Sequence, residues 1–202
     1  MTSEMAPDPE ATRTALARFG QSGMTGGDLG EAALLLAALD SPGVPLSPYR
    51  DHLACLAETA MKAPAESPDA ALRQTITGDF SYEGDQETYD DPQNANLIRV
   101  IDRRKGLPVA LGILYIETAR ALGIEACGLN FPNHFLIRLQ WGGGRAIIDP
   151  FNGGRNLDAR ALRALLTQFQ GAHAALTQAH YSDVSDLDIL LRLQNNIKLR
   201  LL

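Results

Sequence analysis

Cysteine is scarce: two in 202 residues, Cys55 and Cys127. Neither lies in a CxxC pair or at metal-ligand spacing. That excludes a disulfide framework and a cysteine-based metal site, and two free thiols fit a reducing, cytoplasmic setting. The four histidines, His52, His134, His173 and His180, are scattered with no HExxH pair. The sequence therefore implies no metal and no other cofactor. Basic residues are in deficit, with 18 Lys and Arg against 24 Asp and Glu and a net charge of −6. Nucleic acids and anionic membranes need clustered cations, so neither is an expected partner. Long apolar runs are missing as well. The longest, "EAALLLAALD", is too short to span a bilayer. The opening "MTSEMAPDPEATRTA" has neither a basic start nor an apolar core, so no signal peptide is expected.

What remains is an ordinary globular composition, 45% hydrophobic and 21% charged, long enough for one core without metal or disulfide support. Residues 1–9, polar and Pro-containing, are expected to be disordered. Residues 10–80 read as a helical lobe. "GDLGEAALLLAALDSPG" is a helix stopped at Pro42 and Gly43. "SPYRDHLACLAETAMKA" takes Ser47 as N-cap and Pro48 as its first helical residue, and "SPDAALRQTI" repeats that entry at Ser67 and Pro68. The Gly- and Asp-rich stretch "GDFSYEGDQETYDD" reads as a loop.

Residues 81–183 read as the core. Asp91-Pro92 opens a helix that ends in Arg103, Arg104 and Lys105, with Gly106 suited to the left-handed position beyond it. Cations there offset the negative helix end, which explains the cluster better than an anion site does. Leu107 to Leu122 is a buried helix ended by Gly123. "EACGLNF", "HFLIRLQW" and "RAIIDPF" are short strands joined by tight turns, an antiparallel meander. Asp158 caps the helix "ARALRALLTQF". Residues 184–202 form an amphipathic helix opened by a Ser185–Asp188 capping box. Its apolar residues Leu187, Leu190, Leu191, Leu193, Ile197, Leu201 and Leu202 pack on the core or dock elsewhere. The order of elements is α+β.

One constellation carries chemistry. A thiol nucleophile wants a helix N-terminus, a histidine on a neighbouring strand and a carboxylate beyond it. Here a helix begins at Gly106-Leu107-Pro108, His134 opens the second strand and Asp149 ends the third. The nucleophile is missing. Proline supplies no thiol and no N–H, yet it is comfortable in a first helical turn. Cys127 on the first strand reads as a buried small hydrophobe. Cys55 lies on a helix three residues from His52 with no orienting carboxylate in view.

The stretch from Tyr89 to Leu139 followed by "IIDPFNGG" resembles the bacterial transglutaminase-like family typified by YchA, whose members usually carry a tetratricopeptide-type helical tail. The same domain occurs in a eukaryotic F-box protein. The resemblance is dense from about Tyr89 to Gly154 and looser elsewhere. It rests on "DPQN", "RRKGLPV", "PNHF" and "DPFNGG" occurring in order. It implies a transglutaminase/papain-like core, a central helix packed on a small antiparallel sheet beside the helical lobe. It also implies that His134 and Asp149 hold the triad's His and Asp positions, with Pro108 near the place of the cysteine. In this frame residues 184–202 would be the remnant or start of the helical tail.

Three readings follow. The favoured one is a non-catalytic binding or regulatory module whose cleft, lined by Asn133, Phe151 and Asn152, takes another protein or a peptide segment. The second is an unusual hydrolase or acyl transferase in which His134 activates water, Asp149 orients it and Asn152-Gly153-Gly154 supply oxyanion donors. The third is an assembly module that associates with itself or a partner through the C-terminal helix.

Overall fold

The computed structural model describes residues 6–22, 29–171 and 173–201. Helices come first: α1 (Pro9–Ser22), α2 (Leu29–Leu39), α3 (Ser47–Lys62) and α4 (Pro68–Arg73), the last running into a π-helical turn at Gln74–Asp79. After β1 (Glu83–Gly84) and a 3-10 turn (Pro92–Ala95) come α5 (Leu97–Arg103), β2 (Lys105–Gly106) and α6 (Pro108–Ala121). The sheet strands are β3 (Glu125–Leu129), β4 (Leu136–Trp141), β5 (Gly144–Asp149) and β6 (Arg155–Asn156). Then follow α7 (Ala159–Gln170), a 3-10 turn (Gln178–Tyr181), β7 (Asp183–Val184) and α8 (Asp186–Leu201). Helix and sheet are mixed in the α+β manner.

The sheet runs β6-β5-β4-β3-β7, antiparallel throughout, so the three-strand meander gains a short strand at each edge. A separate parallel pair joins β1 to β2. The centre of the molecule is α6, of which 11 residues between Pro108 and Ala119 are buried. It touches α2, α3, α4, α5 and α8 as well as β3 and β4. A helix apolar on every side belongs inside. Its packing on the sheet is close because Gly112 faces the Phe135 ring; a Cβ there would stand 2.3 Å from a ring carbon. One apolar cluster extends from Leu29 on α2 through α6 to Ile197 on α8, and a second gathers Leu129, Leu136, Leu162 and Leu166 under α7.

Several local expectations are revised. Most of the stretch 1–9 expected to be disordered lies outside the described residues, and Pro9 already opens α1. Ser47 is not the cap of α3; Leu46 holds that place without a side-chain bond. Ser67 does cap α4, accepting from the Ala70 amide, and Asp158 caps α7 through the Ala161 amide. The Ser185–Asp188 box closes at 2.6 Å between hydroxyl and carboxylate. The connector read as a loop begins as the π-helical turn and contains β1. Asp91 caps only the 3-10 turn, and Asn96 opens α5. Arg104, not Gly106, takes the left-handed conformation after α5, at φ 62°. Gly106 instead pairs with Gly84.

The C-terminal helix buries Ile189, Leu190, Leu193 and Ile197, while Leu191 and Leu199 face outward. Leu202 lies outside the described residues, and the Leu201 side chain is not described. Among the described residues no helix is long and apolar enough to cross a membrane.

Candidate functional site

β4 and β5 pair antiparallel with Ile137 opposite Ile148, so the start of β4 lies beside the end of β5. His134 sits in the turn just before β4, rather than opening it, and Asp149 is the last residue of β5. Their side chains meet at 2.8 Å, His134 Nε2 to Asp149 Oδ1. Asp149 is fully buried. Its second oxygen accepts from Asn152 Nδ2 at 2.7 Å and from Arg155 Nη2 at 3.5 Å, and the Asn152 amide donates to its first at 3.3 Å. Burial alone would raise the carboxyl's pKa. The bonds and charge of His134, with those of Asn152, outweigh that and hold it below the ordinary carboxylate range. An ionised carboxylate only accepts, so a neutral His134 carries its proton on Nε2 and presents a lone pair on Nδ1.

The "DPFNGG" turn places the donors. Gly154 has φ +65°, and its amide donates to the Asp149 carbonyl at 2.9 Å. A Cβ at Gly154 would lie 2.2 Å from the Tyr115 hydroxyl, so glycine is required by both conformation and contact.

His134 and Pro108 line one open cleft of about 540 Å³, shared with Asn133, Phe151 and Asn152. The expected cleft residues are therefore brought together around the two strand ends and the start of α6. Six further lining residues were not singled out from the sequence. Gln86 and Tyr89 come from the connector, Arg155 from β6, and Leu165, Gln168 and Phe169 from α7. Phe169 stacks on the imidazole at 6.0 Å. Tyr89 meets Phe151 edge to face at 5.7 Å, with the Arg200 guanidinium 5.4 Å from the Tyr89 ring. From behind, Arg192 donates to the His134 carbonyl at 3.3 Å. The spacing of Leu162, Leu165, Leu166 and Phe169 marks an inward face of α7. Nothing in it marks Phe169 as a cleft residue.

At the helix start the Leu107 amide donates to the Asn94 carbonyl at 2.9 Å, and Pro108 has no N–H. The Val109 and Ala110 amides have no partner among the described residues. Among the described residues no sulfur lines the cleft. Cys127 lies on β3, where burial pushes its thiol up to about 11. Cys55 is exposed on α3. Among the described residues no cluster of His, Cys, Asp and Glu could hold a metal ion.

The basic run beside the cleft is engaged internally. Arg103 pairs with buried Asp85 at 3.1 Å and with Asn94 at 2.9 Å. Lys105 pairs with Glu83 at 3.1 Å. Arg104 bonds His52 at 2.7 Å and lies over Tyr82, 4.8 Å from the ring centre. Burial, then the Arg104 charge, pushes His52 down to about 4, so its three-residue spacing from Cys55 makes no acid–base pair.

A model of the transglutaminase-like superfamily matches residues 48–195. The chain belongs to the transglutaminase-like superfamily. Within it, the chain is similar to proteins named only as UPF0162. One from Xylella fastidiosa strain Temecula1 is 43% identical over 105 residues, 52% of this chain and 37% of that protein. One from Vibrio cholerae is 33% identical over 171 residues, 82% of this chain and 63% of that protein. The chain is also 29% identical over 135 residues to mouse F-box only protein 21, covering 63% of this chain and 21% of that protein. The chain thus spans between a fifth and two thirds of the length of these relatives. No solved structure matches it.

Proposed function

We propose that this transglutaminase-like chain is a non-catalytic binding module whose cleft takes an extended peptide segment of another protein and does not turn it over. The observation that carries the reading is Pro108 at the start of α6, lining an open cleft with His134 where a nucleophile would be needed. The cleft's chemistry suits a peptide. Tyr89, Phe151, Leu165 and Phe169 offer apolar walls, and Gln86, Asn133 and Gln168 are side-chain amides with no partner among the described residues. In this reading the domain works in the cytoplasm, regulates through what it binds, and packs as a papain-like core. It is of the YchA type, and α8 leads toward a tetratricopeptide-type tail.

A second reading has one specific observation in its favour. Asp149 holds Nε2, so His134 presents the basic Nδ1, as a general base acting on water would. The test is turnover. Purified protein incubated with peptide amides, and with p-nitrophenyl acetate as the ester, should show no more hydrolysis or acyl transfer than His134→Ala. Turnover that His134→Ala abolishes would overturn the binding-module reading. Self-association through α8 is the least favoured use of the chain, since Ile189, Leu193 and Ile197 are already buried in its own core.

A further inference from the structure

Among the described residues no acidic one lines the cleft, although the protein as a whole carries a net charge of −6. Three groups that favour negative charge converge there instead. His134 is only 8% exposed, and with Nε2 committed to Asp149 its remaining polar atom, Nδ1, has no partner among the described residues. α6, fourteen residues long and without a side-chain cap, reaches the cleft at Pro108 with the unpartnered amides of Val109 and Ala110 behind it. Arg155 stands on the rim with its side chain 55% exposed, and its one ion pair is the 3.5 Å contact to Asp149. The helix start and the guanidinium attract an anion as they stand and the imidazole does so when it carries a second proton, and together they form a site more selective than any alone.

The shape selects the kind of anion. The imidazole is largely buried and stacked on the Phe169 ring, while the cleft has an open mouth and counts the Tyr89–Phe151 pair and residues of α7 among its walls. A chain end can bring a carboxylate down to His134, lay its last side chains on the aromatic walls and leave by the mouth. A carboxylate in mid-chain would have to pass backbone out on both sides. We propose, building on the peptide-binding reading, that the cleft captures the C-terminal carboxylate of a peptide, with His134 and Arg155 as its charged partners. On capture His134 takes a proton from solvent and donates from both nitrogens, one to Asp149 and one to the bound carboxylate. No covalent bond forms or breaks.

Fluorescein-labelled random pentapeptide pools made without Asp or Glu test this, one pool with free C-terminal carboxylates and the other amidated. Binding to the full chain is read by fluorescence polarisation. The free-acid pool should bind at least about tenfold more tightly than the amidated pool, one charge-assisted contact being worth about that factor. Arg155→Gln should erase most of the difference between the two pools by weakening the free-acid pool, with circular dichroism of the variant checking that it is folded. Equal binding of the two pools, weakened alike by Phe169→Ala, would overturn the carboxylate site and leave the peptide-binding reading standing. Binding of neither pool at millimolar peptide would overturn both.

Discussion

Gly112→Ala sets two effects against each other. In the middle of a helix alanine ordinarily stabilises by about 1 kcal/mol relative to glycine. Here the added Cβ would lie 2.3 Å from one carbon of the Phe135 ring and 2.7 Å from the next. The shorter distance is more than 1 Å inside the optimal carbon–carbon separation of about 3.5 to 4.0 Å. The ring cannot retreat easily: it is 1% exposed, and on its far side a Cβ at Gly128 would itself stand 2.9 Å from it. Overpacking of this kind costs about 1–3 kcal/mol, and the depth of the overlap puts it at the upper end. The clash therefore wins, with a net loss of about 2 kcal/mol. For a chain of this size that is a fall in Tm of about 4–8 °C, measurable by calorimetry or circular dichroism. Phe135→Leu removes the ring. In that background Gly112→Ala should stabilise by about 1 kcal/mol, giving a coupling of about 3 kcal/mol in the double-mutant cycle. A stabilised Gly112→Ala protein, or strict additivity with Phe135→Leu, would refute the argument.

Asp85→Ala should destabilise by about 2–4 kcal/mol at pH 7, because it strands Arg103 and the Thr88 amide and hydroxyl that Asp85 accepts from. Burial raises the Asp85 pKa, but the Thr88, Asn94 and Arg103 bonds outweigh it and depress the folded value. Its contribution is therefore complete above the unfolded value of about 3.9 and fades as pH falls below it. Urea melts of wild type and Asp85→Ala should converge on acidification; a gap constant down to pH 2 would refute this. Nitrogen-15 NMR of the imidazole at a pH where it is neutral should show the His134 proton on Nε2, and a proton on Nδ1 would contradict the bond to Asp149. Iodoacetamide at pH 7.5 should alkylate exposed Cys55 well before Cys127, whose thiol is pushed up to about 11, leaving roughly a hundredfold less thiolate than an ordinary cysteine. Mass spectrometry of the digest reads the order, and faster labelling of Cys127 would count against its burial.

What could be read from the sequence follows from what is local. Ser67, Asp158 and Ser185 announce their helices because a cap is satisfied within three residues. The nearness of His134 and Asp149 was legible because a tight antiparallel turn puts the start of one strand beside the end of the next. The remaining walls of the cleft were not legible because long-range contacts hold them. The connector read as a loop is ordered by buried Asp85 reaching across to Arg103, and this sets Gln86 and Tyr89 against the cleft. Arg192 and Arg200 reach the site from α8, far along the chain, and leave no periodic trace. Arg104 in the left-handed conformation was hidden because glycine two residues later looked the better candidate.

The same physics explains how a His–Asp pair can persist without a nucleophile. Pro108 meets no local penalty: at the first helical position its missing N–H is one that would have had no helical partner anyway. A proline there suits the fold. Asp149 has no such freedom. It is fully buried and organises the turn through Asn152 and Arg155, so its charge must be balanced from within, and His134 is the nearer of its two ionisable partners. Removing His134 would leave one oxygen of a buried carboxylate short of its side-chain donor, a loss of about 1–3 kcal/mol that falls on stability whether or not any bond is ever broken in the cleft. The retained pair is therefore evidence about the turn first. The chemistry of the cleft has to be judged by its other walls, and those are uncharged apart from His134 and Arg155.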